Sequence, residues 1–339
     1  MKHTMKVLFG IVIIMLVLGG TMFVSGLKED GSAWGAAGSV IKHRPIVVGF
    51  SQIGSESEWR TANTASMQQS FRNDPDMKLY YSDAQQKQEN QIQALRSFVA
   101  RKVDVILFTA LVETGYRPVL EEAKASGIPV IMIDRDVAKE DRDLRLTIMG
   151  SNFVEEGEKA ANWLAGYLKK QGKDNETINI VELQGTTGSA PAIDRYNGFR
   201  NIMKNNPNWK VTRSQTGNFT SSEGKAVMEA FLKSDKNIDV LYAHNDQMAL
   251  GAIQAIKEAG LKPGKDIIIV AIDAVKGAFE AMVKGEMNAS IECNPLLGPQ
   301  ANQAVHDLAD GKILPERIWT IEGIYDQTNA AKALPTRQY

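Results

Sequence analysis

From Pro45 onward the chain alternates short, almost purely apolar runs with longer stretches whose apolar residues recur every three to four positions. Runs at 46–50, 79–81 and 103–108 each precede a helix-period stretch, at 59–73, 88–100 and 117–126. Runs at 130–133 and 146–149 then lead to a long one at 155–170. In 88–100, for example, Ile92, Leu95, Phe98 and Val99 share one helical face. The scheme returns as runs at 178–183, 210–215, 240–243 and 267–272, with helical stretches at 195–205, 222–233, 248–259 and 277–284. Strands apolar on both faces belong to parallel sheets covered by helices on each side. So many units exceed one comfortable sheet. The expected fold class is therefore α/β, as two doubly wound parallel-sheet lobes.

The first 44 residues do not follow this rhythm. Lys2, His3 and Lys6 precede an uncharged stretch at 7–27, the pattern of an export signal. Val24-Ser25-Gly26 offers small residues for cleavage, so 1–26 reads as a signal peptide. The same stretch is long enough to span a bilayer, at roughly 20 residues, so an uncleaved anchor is the less favoured alternative. Either way the remainder is expected outside the cytoplasm, in the periplasm or on the outer face of the cytoplasmic membrane. Residues 27–44, rich in Gly, Ala, Ser and charge, read as a flexible leader. Cys293 is the only cysteine, so no internal disulfide is available. A chain of 339 residues can rely on its cores instead. Lys and Arg total 39 against 40 Asp and Glu. That balance supplies no basic field for nucleic acid, and it suits a neutral ligand.

In open α/β sheets, ligands sit beyond the carboxyl ends of the strands. After the first run come Ser51 to Arg60, including Glu56, Glu58 and Trp59. Asp134 and Arg135 follow 130–133; Gln184-Gly185-Thr186-Thr187-Gly188, then Asp194 and Arg195, follow 178–183. His244, Asn245 and Asp246 follow 240–243, and Asp273 follows 267–272. Planar donors and acceptors pair with vicinal hydroxyls, and an aromatic face covers the C–H side of a sugar ring. Each residue has a plainer reading too: Asp134 as a turn cap, Asn245 or Asp246 as a helix N-cap, Trp59 as core. Recurrence at five strand ends favours a site.

Several stretches carry a family resemblance. Gly49-Phe50-Ser51-Gln52, Ser55-Glu56-Ser57-Glu58-Trp59-Arg60, Gln85-Gln86-Lys87-Gln88-Glu89-Asn90-Gln91, Ile133-Asp134-Arg135, Val181-Glu182-Leu183-Gln184-Gly185-Thr186, Ala192-Ile193-Asp194-Arg195, Tyr242-Ala243-His244-Asn245-Asp246 and Ile272-Asp273 closely resemble the galactofuranose-binding proteins of bacterial ABC transporters. The resemblance spans 45–325, and its Asp-Arg, Asn-Asp and Ile-Asp pairs are those of the wider ribose-binding-like, type I periplasmic binding proteins.

That resemblance implies a cleft between lobes joined by three crossings, near 150–152, 292–294 and 323–325. The lobes would be 45–150 plus 294–322 and 151–293 plus 323–339. By position it implies sugar contacts from Trp59, Arg60, Thr109, Asp134 and Arg135, and from Arg195, Phe219, Asn245 and Asp273, with Glu292 at the hinge. Thr109 stands where a small or amide residue is expected, and Tyr116 where close relatives carry Trp. The expected ligand is a monosaccharide, galactofuranose or a related furanose or pentose. The expected partner is an ABC permease, which exposed Glu155 and Glu156 would meet unless they are simply a solvated face. The chain is expected to act as a monomer, with no cofactor or metal.

An enzyme would need a signature that is missing: there is no Gly-x-Ser-x-Gly, Walker or Gly-x-Gly-x-x-Gly sequence. Gly185-Thr186-Thr187-Gly188 resembles a phosphate loop only loosely and reads as a strand-to-helix turn. His3, His43, His244 and His306 are too scattered to join Cys293 in a metal cluster. A repressor would need a DNA-reading helix-turn-helix where the export signal stands. A membrane-anchored sensor presenting sugar to a receptor kinase is the alternative function.

Overall fold

The computed structural model describes residues 44–235 and 237–339. The apolar stretch at 7–27 and most of the leader lie outside these residues. Among the described residues, no helix is long and apolar enough to cross a membrane.

The first half builds β1 (Ile46–Gln52), α1 (Glu58–Arg72), β2 (Met77–Asp83), α2 (Gln88–Ala100), β3 (Val105–Phe108), α3 (Arg117–Ala125), β4 (Val130–Ile133) and β5 (Thr147–Gly150). The second builds α4 (Phe153–Lys170), β6 (Ile178–Gln184), α5 (Ala190–Met203), β7 (Trp209–Thr216), α6 (Ser221–Ser234), β8 (Val240–Ala243), α7 (Asp246–Glu258), β9 (Ile268–Asp273), α8 (Lys276–Val283) and β10 (Ala289–Glu292). It closes with α9 (Gly298–Ala309), β11 (Arg317–Trp319), β12 (Ile324–Asp326) and α10 (Ala330–Ala333).

Two six-stranded sheets result, in the orders β11-β5-β4-β3-β1-β2 and β12-β10-β9-β8-β6-β7. All pairings are parallel except β10 with β12. Each sheet repeats the same winding, and its first strand lies between its second and third. That is the topological switch point, beyond which a crevice opens at the carboxyl ends. Fully buried strands such as Val105–Phe108 and Val240–Ala243 explain the unbroken apolar runs.

The chain leaves one sheet for the other after Gly150, after Glu292 and after Trp319. One carboxylate gathers all three passages: Glu322 Oε1 accepts from Ser151 Oγ, from Asn294 N at 3.0 Å and from Thr320 Oγ1 at 2.7 Å.

Two expectations need correction. α5 starts at Ala190 rather than 195, because Pro191 in the first turn needs no N–H partner there. Glu156 is not on a solvated face. It lies on the buried stripe Phe153, Glu156, Gly157, Ala160, Leu164, while Glu155 pairs with Lys159 at the surface.

Candidate functional site

Eight of the ten expected site residues line one cavity between the lobes: Trp59, Arg60, Asp134, Arg135, Arg195, Phe219, Asn245 and Asp273. The space its walls bound, mouth included, is about 270 Å³.

The first lobe's side is built on α1. Ser57 caps this helix by accepting from Arg60 N at 3.1 Å, which fixes the first turn. Arg60 then reaches Glu56 at 3.1 Å and Asp134 at 2.7 Å, while Arg135 reaches Glu56 at 3.4 Å. Asp134 turns away from β4 with φ 65°, unusual for a non-glycine residue. Burial alone would push the Glu56 carboxyl up, but Arg60 and Arg135 outweigh it and hold Glu56 low. Burial, with Arg60 beside it, brings Arg135 down to about 10, so its guanidinium stays charged at neutral pH.

On the second lobe's side, Arg195 is the centre. Its Nε donates to Glu156 Oε2 at 2.8 Å, its Nη1 to the carbonyl of His244 at 2.5 Å, and its Nη2 approaches Asp273 at 3.5 Å. Close packing of α4 on α5 makes the pair with Glu156 possible. A Cβ on Gly157 would stand 2.4 Å from the Arg195 carbonyl oxygen, and one on Gly198 2.0 Å from that of Val154. Asn245 is the N-cap of α7, its Oδ1 accepting from Met248 N at 3.0 Å, while its Nδ2 donates to Phe219 O at 3.2 Å. Phe219, at φ 63°, fills space that Gly185 leaves; a Cβ there would lie 1.8 Å from the Phe219 ring.

Each guanidinium rests on an aromatic ring: Arg60 on Trp59 at 4.6 Å, Arg135 on Phe219 at 5.0 Å, Arg195 on Phe153 at 5.2 Å. Such stacking fixes the plane of each fork. The Arg135–Phe219 contact spans the two lobes, as do the bonds Glu113 N to Gly188 O at 2.9 Å and Glu58 N to Gln247 Oε1 at 3.4 Å. Arg60 Nη1 and Arg135 Nε are buried without a hydrogen-bond partner. Buried donors normally have one, so these two are free for an acceptor oxygen in the cavity.

Beside Asp134 and Asp273, the three arginines meet two further carboxyl groups, Glu56 and Glu156. Burial pushes Glu156 up to about 8 and Asp273 well above its usual range, against the pull of Arg195.

Two expected residues fall elsewhere. Glu292 does not line the cavity. Its carboxylate is taken by Arg337 at 2.8 Å, Tyr339 OH at 3.0 Å and Gly323 N at 2.9 Å, so it braces the last residues against the hinge. Thr109 is fully buried at the end of β3, where its carbonyl accepts from Gln91 at 2.6 Å, and it is not among the lining residues. Tyr116 packs on Phe108 and its hydroxyl bonds Gln91, so it too stands behind the wall. At the hinge, Glu156, Cys293 and Glu322 bring donor atoms within 4.8 Å of one another. Burial pushes all three up, which favours their protonated forms.

A family model described as a periplasmic binding protein domain matches residues 48–313. The galactofuranose-binding protein YtfQ of Escherichia coli (strain K12) is 46% identical over 286 residues, covering 84% of this chain and 88% of the relative. A structure from Mycobacterium smegmatis in complex with β-D-fucofuranose has 48% identity and a TM-score of 0.83, covering 87% of this chain and 95% of that one. The periplasmic component of the arabinose ABC transporter of Shewanella sp. ANA-3, bound to α- and β-L-arabinofuranose, has 47% identity and a TM-score of 0.81, covering 86% and 95%.

Proposed function

We propose that this chain, which belongs to the periplasmic binding protein family, is the extracytoplasmic solute-binding component of an ABC sugar importer. It binds one furanose, galactofuranose or a related hexose or pentose, between its lobes, and hands it to a permease as a monomer. No bond in the sugar is made or broken. The observation that carries this reading is the interlobe cavity with three ring-stacked arginines, two of them holding unpartnered N–H groups. Hydroxyl and ring oxygens of an uncharged sugar complete those bonds, and the carboxyl oxygens of the cavity accept from its hydroxyls.

The lobes, taken as 45–150 plus 294–322 and 151–293 plus 323–339, act as a hinged clamp. Sugar contacts from both halves exist together only when the lobes are closed, so ligand shifts the open–closed equilibrium. One of the similar proteins named above is the periplasmic component of an arabinose ABC transporter, which favours import over presentation to a receptor kinase. The leading segment, as signal or anchor, keeps the protein outside the cytoplasm.

Isothermal calorimetry with galactofuranose, galactopyranose, ribose and arabinose tests the reading. A furanose should bind with one-to-one stoichiometry and more tightly than galactopyranose. Absence of heat with every sugar would overturn it.

A further inference from the structure

His244 precedes the cavity residue Asn245 but does not line the cavity, and its imidazole is fully buried. One edge of the ring faces β6, where Nε2 stands 3.3 Å from Glu182 Oε1. The other edge faces the turn after β6, where Nδ1 accepts from Gly185 N at 3.4 Å. Gly185 N can only donate, so Nδ1 is bare and the ring proton sits on Nε2, against the Glu182 carboxyl. Glu182 is fixed in turn by Arg200 Nη2 at 2.8 Å and Ser214 Oγ at 2.5 Å. Burial would raise Glu182, but His244, Arg200 and Ser214 outweigh it and bring it down to about 2, so it is a carboxylate at neutral pH.

Gly185 carries this hold into the site. Its carbonyl accepts from Thr216 Oγ1 at 2.7 Å, so the turn is tied on both sides. The Phe219 ring fills the place a Cβ of residue 185 would take, and Arg135 of the other lobe rests on that ring at 5.0 Å. A proton on Nδ1 would set one N–H against another, and Gly185 could give way only by moving the ring. The charged and titratable groups around the imidazole are Glu182 from β6, Arg195 and Arg200 from α5, and Tyr242 on β8 itself. Burial pushes the imidazole down, Glu182 pulls it back, and the two arginines add to burial, leaving it below its ordinary value of about 6.5.

We propose that His244 is a positioning residue for sugar binding, which as a neutral acceptor sets the Phe219 ring through Gly185, so that protons and sugar compete. The inference rests on the furanose-binding reading. The closed, sugar-bound form needs Nδ1 bare. Affinity is therefore fully present above about pH 6.5 and is lost as pH falls below it.

Calorimetry with galactofuranose from about pH 7.5 to about pH 5, on wild type, His244→Gln and His244→Leu, tests it. Gln can accept from Gly185 and donate to Glu182 without titrating, whereas Leu can do neither. At about pH 7.5, His244→Gln should bind within about three-fold of wild type, and His244→Leu at least roughly ten-fold more weakly. Glu156, Asp246 and Asp273, all raised by burial, are present in all three proteins, so the comparison isolates the imidazole. Across the window wild type should lose at least roughly five-fold more affinity than His244→Gln. Parallel profiles, or a His244→Gln as weak as His244→Leu, overturn the proposal. Should His244→Leu melt early, the two pH profiles decide alone. If wild type gives no heat with galactofuranose or arabinose at any pH, the furanose reading itself has failed, and this inference with it.

Discussion

Arg195 joins the second lobe's site, its packing and its electrostatics, and substitutions there separate these roles. Arg195→Lys keeps a cation beside Glu156 but loses the planar fork. Affinity for the furanose should fall at least ~10-fold, about 1.4 kcal/mol, with the thermal transition little changed. Calorimetry paired with a circular dichroism melt checks both; unchanged affinity would remove Arg195 from the site. Its partner has its own signature. Glu156 is pushed up to about 8 and Asp246 to about 7, both by burial. Between these values and the unfolded carboxyl range the folded chain holds protons that the unfolded chain has released, so stability is lost as pH rises through about 8. Buried His244 is pushed down and works in the opposite sense at lower pH, so the useful window is about pH 6.5 to 8. The melting temperature of the ligand-free protein should fall across that window, and Glu156→Gln, uncharged throughout, should flatten the slope. A flat wild-type profile would contradict the assignment. The buried arginines were legible because each follows a strand end. Glu156 was obscured by its neighbour Glu155, though its place among Phe153, Gly157 and Ala160 on one helical face was a usable signal. Glu56 was hidden in a run of serines and glutamates, and its pair with Arg135 appears only once the end of β4 comes beside it.

At the scale of elements, glycines decide how close the site's parts can come. Gly198→Ala would force a methyl against the Val154 carbonyl and push α5 off α4. Overpacking of this kind costs ~1–3 kcal/mol, and here it should also displace Arg195 and weaken sugar binding. Thermal melts and calorimetry together should register both losses. Gly185→Ala acts differently, since it displaces only the Phe219 ring. Affinity should drop while the melt stays within a few degrees, and an unaltered affinity would show that the ring makes no contribution. The long elements were readable because their apolar periods are strong. β10, β11, β12 and α9 were not anticipated. β11 and β12 are three residues each and depend on partners far away in the chain. The buried face of α9 is mostly small alanines, too weak a pattern to stand out. Glu292 stands at the hinge as expected, but that its carboxylate is occupied was not legible, because the Arg337 and Tyr339 contacts that occupy it are nearly fifty residues distant.

For the molecule as a whole, two copies of one winding face each other across strand ends, and the residues between them are buried. Arg60, Arg195 and Asn245 are only 2–3% exposed, so a sugar cannot reach them unless the lobes part. Small-angle scattering should therefore show a larger radius of gyration without sugar than with saturating furanose. The duplicated α/β alternation made this architecture readable, while the degree of closure depends on contacts such as Arg135 with Phe219 that only the folded chain creates. A crystal structure grown in galactofuranose would bear hardest on the clamp. The ring should sit among Trp59, Arg135, Arg195 and Asp273, with an oxygen within hydrogen-bond distance of Arg60 Nη1 or Arg135 Nε. Sugar density on an outer surface, with that cavity holding only solvent, would contradict it.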